Sequence, residues 1–346
     1  MEKLQKTIEY LRNYDGRELT FMEVCGSHTA AIAKNGIKDL LSDKIHLISG
    51  PGCPVCVTPS SYIDRLIALS KQENTCVVTF GDLLRVPGSA ESLNEAKSDG
   101  AKVEMVYSPL DILKLARQKP EITYVFAAVG FETTVPTYAL LLEELQEQHI
   151  ENVKFLTSLK TMPQAIRFLC ERNKKIDGFL APGHVAVITG SDSFLPLAKE
   201  YKKPFVVAGF EAEELLLAIH ALVQMADQNG GVKNFYPRAV TGRGNVIAQE
   251  KIGTYFEPAA AVWRGIGEIE DSGLVLREEY RRYDAGSYDL KADKKTKNGC
   301  CCDKILIGEM ESEQCPLFGK ICTPNNPQGA CMVSFEGSCY QKYRNR

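Results

Sequence analysis

The chain has 346 residues, with 41 Lys and Arg against 44 Asp and Glu for a formal net charge of −3, and its basic residues are scattered apart from a short run at 291–297. Such a balance argues against a surface that tracks nucleic-acid phosphates, and the length favours two or three domains over a single core. The first 16 residues set Leu4, Ile8 and Leu11 among charges instead of in a signal-peptide core, and the apolar helix candidate 215–225 is broken by His220 and Gln224 and too short to span a bilayer, so we expect a cytoplasmic protein without a membrane partner.

In chain order, an N-terminal amphipathic helix precedes an apolar strand at 19–24, which ends in Cys25-Gly26-Ser27-His28 at a strand-to-helix turn. A strand at 45–48 runs into Gly50-Pro51-Gly52-Cys53-Pro54-Val55-Cys56, a CxxC stiffened by proline, and a helix follows at 60–70. The strand 75–80 is capped by Gly81-Asp82, and a helix at 91–98, strand 103–107, helix 110–118 and strand 122–129 continue the alternation. Helices at 138–147, 164–172, 194–200 and 211–228 then alternate with strands at 153–157, 177–180 and 204–208. This pattern predicts an α/β fold: two related domains with parallel sheets flanked by helices, at 1–130 and 131–260, and a small cysteine-rich iron–sulfur domain at 261–346.

Three faint echoes at a nearly constant offset point to a duplicated domain: Pro51 to Thr58 with Pro182 to Thr189, Phe80 to Leu84 with Gly209 to Glu211, and Phe21 to Ile32 with Phe155 to Ile166. From about Arg238 the sequence reads as loop-rich, and Lys291 to Asn298 as a linker. The segment beyond has too few apolar residues for a core of its own, so a metal centre is expected to organise it.

Cysteine is the compositional anomaly. Twelve are present, three of them near the start and seven between Cys300 and Cys339. In a reducing compartment this argues for metal ligation or redox chemistry. The C-terminal group lacks the paired CxxC knuckles of a zinc site, and its wide spacing beside Pro316 and Pro324 favours a [4Fe–4S] cluster over structural zinc, with surplus thiols free to form a dithiol or, for Cys301, to lie at the surface. Cys25, Cys53 and Cys56 follow strand ends. If those strands are parallel neighbours, the three sulfurs share one crevice, where helix N-termini lower thiol pKa values and soft thiolates favour iron, copper(I) or zinc. A redox dithiol at Cys53 and Cys56 is the rival reading; the third cysteine favours iron. His28, Asp82, Arg85, Glu132-Thr133-Thr134 and His184 also fall at strand ends, each by itself a cap or a satisfied core group, and together a set able to donate hydrogen bonds to small anions or move protons. No dinucleotide, Walker A or nucleophile-elbow motif is present.

Seven ordered motifs carry a resemblance over nearly the whole chain: Cys25 to Thr29, Gly50 to Pro59, Thr79 to Ser89, Gly130 to Thr134, Pro182 to Val185, Trp263 to Gly267 and Gly329 to Ser334. Together they resemble the HypD family of [NiFe]-hydrogenase maturation factors. The resemblance implies a redox-active scaffold, not a conventional turnover enzyme, on which the Fe(CN)2CO group is assembled with a small HypC-type chaperone. It further implies cyanide delivered as thiocyanate by a HypE-type donor and electrons from a [4Fe–4S] cluster and a thiol relay. On this basis Cys25, Cys53 and Cys56 match the iron-site cysteines, while Cys300, Cys302, Cys315, Cys322, Cys331 and Cys339 match the cluster-and-dithiol region. Ala30 stands where some members carry a second histidine, and Cys301 is extra. The alternative is an iron–sulfur-dependent thiol–disulfide oxidoreductase acting on a protein partner; a zinc-stabilised interaction module is the third.

Overall fold

The computed structural model describes residues 2–290 and 299–345, and among these described residues eleven strands occur. They are β1 (Leu19–Glu23), β2 (Ile45–Ser49), β3 (Thr75–Thr79), β4 (Val103–Met105), β5 (Thr123–Gly130), β6 (Val153–Lys160), β7 (Gly178–Pro182), β8 (Pro204–Ala208), β9 (Gly231–Asn234), β10 (Phe256–Trp263) and β11 (Gly267–Leu276). The expected linker at 291–298 lies outside the described residues.

The strands form two sheets. The first has the order β2-β1-β7-β8-β9 and is parallel throughout; the second has the order β10-β11-β6-β5-β3-β4, parallel from β6 to β4, with β11 antiparallel to both β10 and β6. Alternate residues face opposite ways, as a period of two requires. In the first sheet Phe21, Leu180 and Val206 face the helices Glu2–Arg12 and Ala212–Met225, whereas Met22, Ala181 and Val207 face Met162–Arg172 and the C-terminal segment. With helices on both faces the central strands are apolar runs, β3, β7 and β8 being buried at every position.

Counted along the chain, the first sheet reads 2-1-3-4-5 and the second contains the same 2-1-3-4 core followed by its hairpin. Both are doubly wound, and in such sheets a crevice opens where the strand order reverses, here between β1 and β7.

Three sequence expectations differ from this architecture. The sheets do not divide at residue 130: β1 and β2 pair with β7 to β9, and β3 to β5 pair with β6. Short apolar strands carry no record of which partner they take, so chain order was a poor guide. The echoed segments likewise do not superpose one sheet on the other, because in chain order β1 is the first strand of its sheet and its echo β6 the fourth of the other, β3 and β8 are mismatched in the same way, and β2 and β7 lie in one sheet. What the segments share is the composition of strand-to-helix turns. Finally, the region beyond Arg238 is not loop: Val246–Tyr255 is a helix capped by the Asn245 side chain, and β10–β11 closes the edge of the second sheet. Trp263 on β10 is fully buried, donates from Nε1 to Ser272 Oγ at 2.8 Å and stacks on Phe131.

The cysteine-rich segment also departs from expectation, because it shares a core instead of depending on metal alone. Ile305, Leu306, Phe318 and Met332 pack in one cluster with Met22, Met162 and Trp263. Ala330 and Val333 reach the core of the second sheet, so this segment fills the angle between the two sheets.

Candidate functional site

Because β1 and β2 are parallel neighbours, their carboxyl ends deliver Cys25 and the Gly50–Cys56 loop to the same place. The two loops are tied by backbone: Gly50 N–H donates to Glu23 O at 2.7 Å and Gly26 N–H to Gly52 O at 2.9 Å. Their approach is so close that a Cβ on Gly52 would stand 2.3 Å from the Cys25 nitrogen, which explains the glycine. Within the CxxC, Cys56 N–H donates to Cys53 Sγ at 3.2 Å. Motifs that the sequence could only enumerate hold this loop from behind: Arg264 N–H donates to Val57 O at 2.9 Å, and the Arg264 side chain reaches Pro87 O.

Cys25, Cys53 and Cys56 are only 6%, 3% and 1% exposed. The loop is therefore closed around its sulfurs, with only Pro54 and Val55 partly exposed at its tip. Burial pushes the Cys25 thiol up to about 12, against the backbone N–H groups of His28 and Ser27 at the helix start, and burial also raises Cys56 well above its ordinary value. The expected lowering by helix N-termini is present in kind but is outweighed by desolvation. A metal bound here must displace protons. The Cys25 and CxxC loops adjoin, yet among the described residues no group of three or more His, Cys, Asp or Glu side chains is arranged to hold a metal ion, so the sulfurs are neighbours without being a preassembled ligand set.

His28 lies two elements across. Its Nε2 is 3.2 Å from Ala208 O and 3.1 Å from Gly209 O at the end of β8, which fixes the proton on Nε2; Nδ1 is buried with no partner among the described residues. Burial lowers its pKa to about 4, so the ring is neutral. Phe210 separates it from His184, which follows β7, with ring centroids 4.9 Å and 4.1 Å away respectively. His28 and His184 thus belong to the Cys25 side of the crevice. Asp82 is exposed and lines a cavity of about 450 Å³ with Pro54 and Val55. Glu132 follows β5 of the second sheet, its Oε1 accepting from Met162 N–H at 2.8 Å and its Oε2 buried without a partner among the described residues.

Two acids escaped the sequence reading. Glu336 accepts from Ser27 Oγ at 2.7 Å and packs its Cβ against Gly26; burial, with the charge of Asp82 adding, raises its pKa. Nothing local in the sequence marks it. Glu23 is buried on β1, accepts from Cys25 N–H at 3.2 Å and Thr29 Oγ1 at 2.5 Å, and borders a cavity of about 150 Å³ beside the last helix. Its signal was legible as the one charge inside the apolar run 19–24.

Desolvation raises the pKa of both Glu23 and Glu132 to about 7 from 4.5. The fold therefore favours their neutral forms, a contribution full below 4.5 and lost as pH climbs through about 7. Glu132→Gln should accordingly gain stability over the parent between pH 5 and pH 8 by on the order of 2 kcal/mol. Urea unfolding at both pH values checks this, and a difference that does not change with pH would refute it.

The C-terminal cysteines continue inward from the CxxC. Cys56 Sγ donates to Ala330 O at 3.9 Å, Cys56, Cys331 and Cys302 are buried in one cluster, and Cys302 Sγ lies 2.9 Å from Cys300 Sγ. Cys300, Cys302, Cys315, Cys322 and Cys339 line one small apolar pocket, whereas Cys331 does not. Gly329 forms its wall, and a Cβ there would lie 2.6 Å from the sulfurs of both Cys300 and Cys302. Ser312 hydrogen-bonds Cys339. Cys76 and Cys170 are buried in the cores of the second and first sheets.

The family model for HypD, described as the hydrogenase formation hypA family, matches residues 1–346. The chain belongs to the HypD family. Hydrogenase maturation factor HypD of Escherichia coli (strain K12) is 40% identical, with 100% of this chain and 94% of the relative covered. The HypD of Rhizobium leguminosarum bv. viciae is 42% identical over 93% of this chain and 87% of its own, and that of Cupriavidus necator 40% over 95% and 90%. Membership makes this HypD-family chain a hydrogenase maturation factor. Among its described residues, no helix is long and apolar enough to cross a membrane.

Proposed function

We propose that this protein is the scaffold on which an iron cargo acquires cyanide and carbonyl ligands, held by the thiolates of Cys25, Cys53 and Cys56 in company with a small HypC-type chaperone. The observation that carries the reading is the burial of Cys56 of the CxxC, Cys331 and Cys302 in one core cluster beside the five-thiol pocket. Soft thiolates suit a low-spin iron and leave its other positions free.

The five-thiol pocket fits a resident [4Fe–4S] cluster in donor chemistry, a body whose ligands spread around more than one ion. Cys300, Cys315, Cys322 and Cys339 are the residues to hold it, with Cys302 assigned to Cys331, which shares its core cluster but does not line the pocket. When bound, such a cluster supplies electrons one at a time. Cys302 and Cys331 then serve as the dithiol between pocket and CxxC. Closing it to a disulfide releases two electrons and two protons. Cleavage of the sulfur–carbon bond of a thiocyanate on the HypE-type donor consumes both electrons, leaves cyanide for the iron, and returns the donor sulfur as a thiolate that takes one proton. The second proton leaves to solvent.

Infrared spectroscopy of the anaerobically purified protein with its chaperone tests this reading. Cyanide and carbonyl stretches are expected, and Cys53→Ala should abolish them. If the parent complex shows no such bands while its dithiol still turns over on a disulfide substrate, the protein is instead the thiol–disulfide oxidoreductase that the same buried thiols would serve.

A further inference from the structure

The turn that joins β10 to β11 does more than close a hairpin, for two consecutive residues at its tip touch two thiol-bearing segments. Arg264 N–H donates to Val57 O at 2.9 Å, and Val57 directly follows Cys56. Gly265 lies against Asp303, which directly follows Cys302: a Cβ on this glycine would stand 2.8 Å from the Asp303 Cα and 3.0 Å from its nitrogen. The backbone neighbours of Cys56 and Cys302 are thus both set against one turn, although the two thiols lie far apart in the chain.

That turn is anchored on every side. Trp263 enters it fully buried, bonded to Ser272 and stacked on Phe131, and Ile266 N–H closes it on Trp263 O at 3.1 Å. The Arg264 side chain is buried and held at Pro87 O. Gly265 has φ of +75°, a left-handed value that suits glycine and, after it, asparagine. On the far side the helix Cys302–Leu306 has no room to retreat, because Ile305 and Leu306 are buried in the core shared with the first sheet. A side chain at position 265 therefore presses Cys302 away from the CxxC while Arg264 N–H still holds Val57.

We propose that Arg264 and Gly265 are positioning residues that set the spacing between Cys56 of the CxxC and the Cys302–Cys331 dithiol. The inference rests on the relay reading above. Before iron is loaded, exchange between these pairs moves a disulfide from one to the other: one S–S bond breaks as the other forms, two electrons and two protons pass between the pairs, and no outside reagent is consumed. Each thiolate must attack a sulfur it can reach in line, so the step depends on the spacing that the turn imposes.

The test follows a disulfide between the pairs in full-length, iron-free protein kept anaerobic: oxidation with one equivalent of diamide, timed quenching with iodoacetamide, and tandem mass spectrometry of the linked peptides, with far-UV circular dichroism as the folding control. Gly265→Asn accepts the left-handed backbone and carries the intruding Cβ, whereas Gly267→Ala strains the same turn at φ of +108° with nothing within 4 Å of its Cβ. Gly265→Asn should slow redistribution between Cys53–Cys56 and Cys302–Cys331 by about tenfold or more. Each pair measured alone, with the other changed to serine, should still be oxidised at the parent's rate. Gly267→Ala should redistribute as the parent does. Arg264→Ala, which frees the turn from Pro87 without adding an atom, should also be slow, and it carries the test if Gly265→Asn does not fold. A folded Gly265→Asn or Arg264→Ala protein that redistributes as fast as the parent overturns the proposal. So does an equally slow Gly267→Ala, since the stability of the turn and not its contacts would then set the rate. A parent in which no disulfide passes between the pairs overturns the relay reading, and the proposal with it.

Discussion

Cys322→Ala is expected to remove nearly all cluster iron and the brown colour of the protein, with both sheets still folded. The first half follows from the pocket, where Cys322 is one of five thiols and receives Gln328 N–H at 3.4 Å, so it is held in place by backbone. The second half follows from the core. Ile305, Leu306, Phe318 and Met332 are buried against residues of the first sheet, and burial of each such side chain contributes roughly 1.5–3 kcal/mol whether or not metal is present. Iron content and absorbance measure one outcome, and near-UV circular dichroism of Trp263, the sole tryptophan, measures the other. A coloured variant would remove Cys322 from the ligands, and a colourless but unfolded one would show that metal organises this segment after all.

Gly52→Ala should cost more function than any other single methyl group in the chain. Its Cβ would lie 2.3 Å from the nitrogen and 2.5 Å from the Cα of Cys25, both backbone atoms that cannot rotate aside. The Cys25 and CxxC loops must then separate, breaking the Gly26 to Gly52 hydrogen bond that sets the spacing of the three thiols. Overpacking of this kind costs roughly 1–3 kcal/mol of stability, while displacement of ligands by about 1 Å lowers activity on the order of 100-fold. Hydrogenase maturation in a strain lacking the native gene, compared with the variant's melting temperature, separates the two effects. Gly253→Ala is the control: that glycine sits in a helix with nothing within 4 Å of a new Cβ, and the change should be neutral or slightly stabilising.

Much of this was legible before the fold. The alternation of strand and helix was read nearly residue for residue, the helix Ser60–Ser70 and the strand Pro204–Ala208 at both ends, because apolar periodicity and the turn residues around it are local properties. The motifs at strand ends pointed to Cys25, His28, Cys53, Cys56 and His184, and parallel pairing does bring these to one crevice. Glu132, chosen on the same grounds, follows β5 of the second sheet and accepts from Met162 N–H, since a strand end alone does not say which sheet the strand joins.

The sequence by itself determined the class of fold, the two groups of thiols and the turns that carry them, all of which depend on neighbours a few residues away. Only the tertiary structure decided what the thiols do to one another. That the CxxC is buried, that burial raises Cys25 where a helix start alone would lower it, and that Cys56 Sγ reaches Ala330 O across more than 270 positions all follow from the C-terminal segment packing into the angle between the sheets. Desolvation and long-range contact are properties of the packed chain, and no window of sequence contains them.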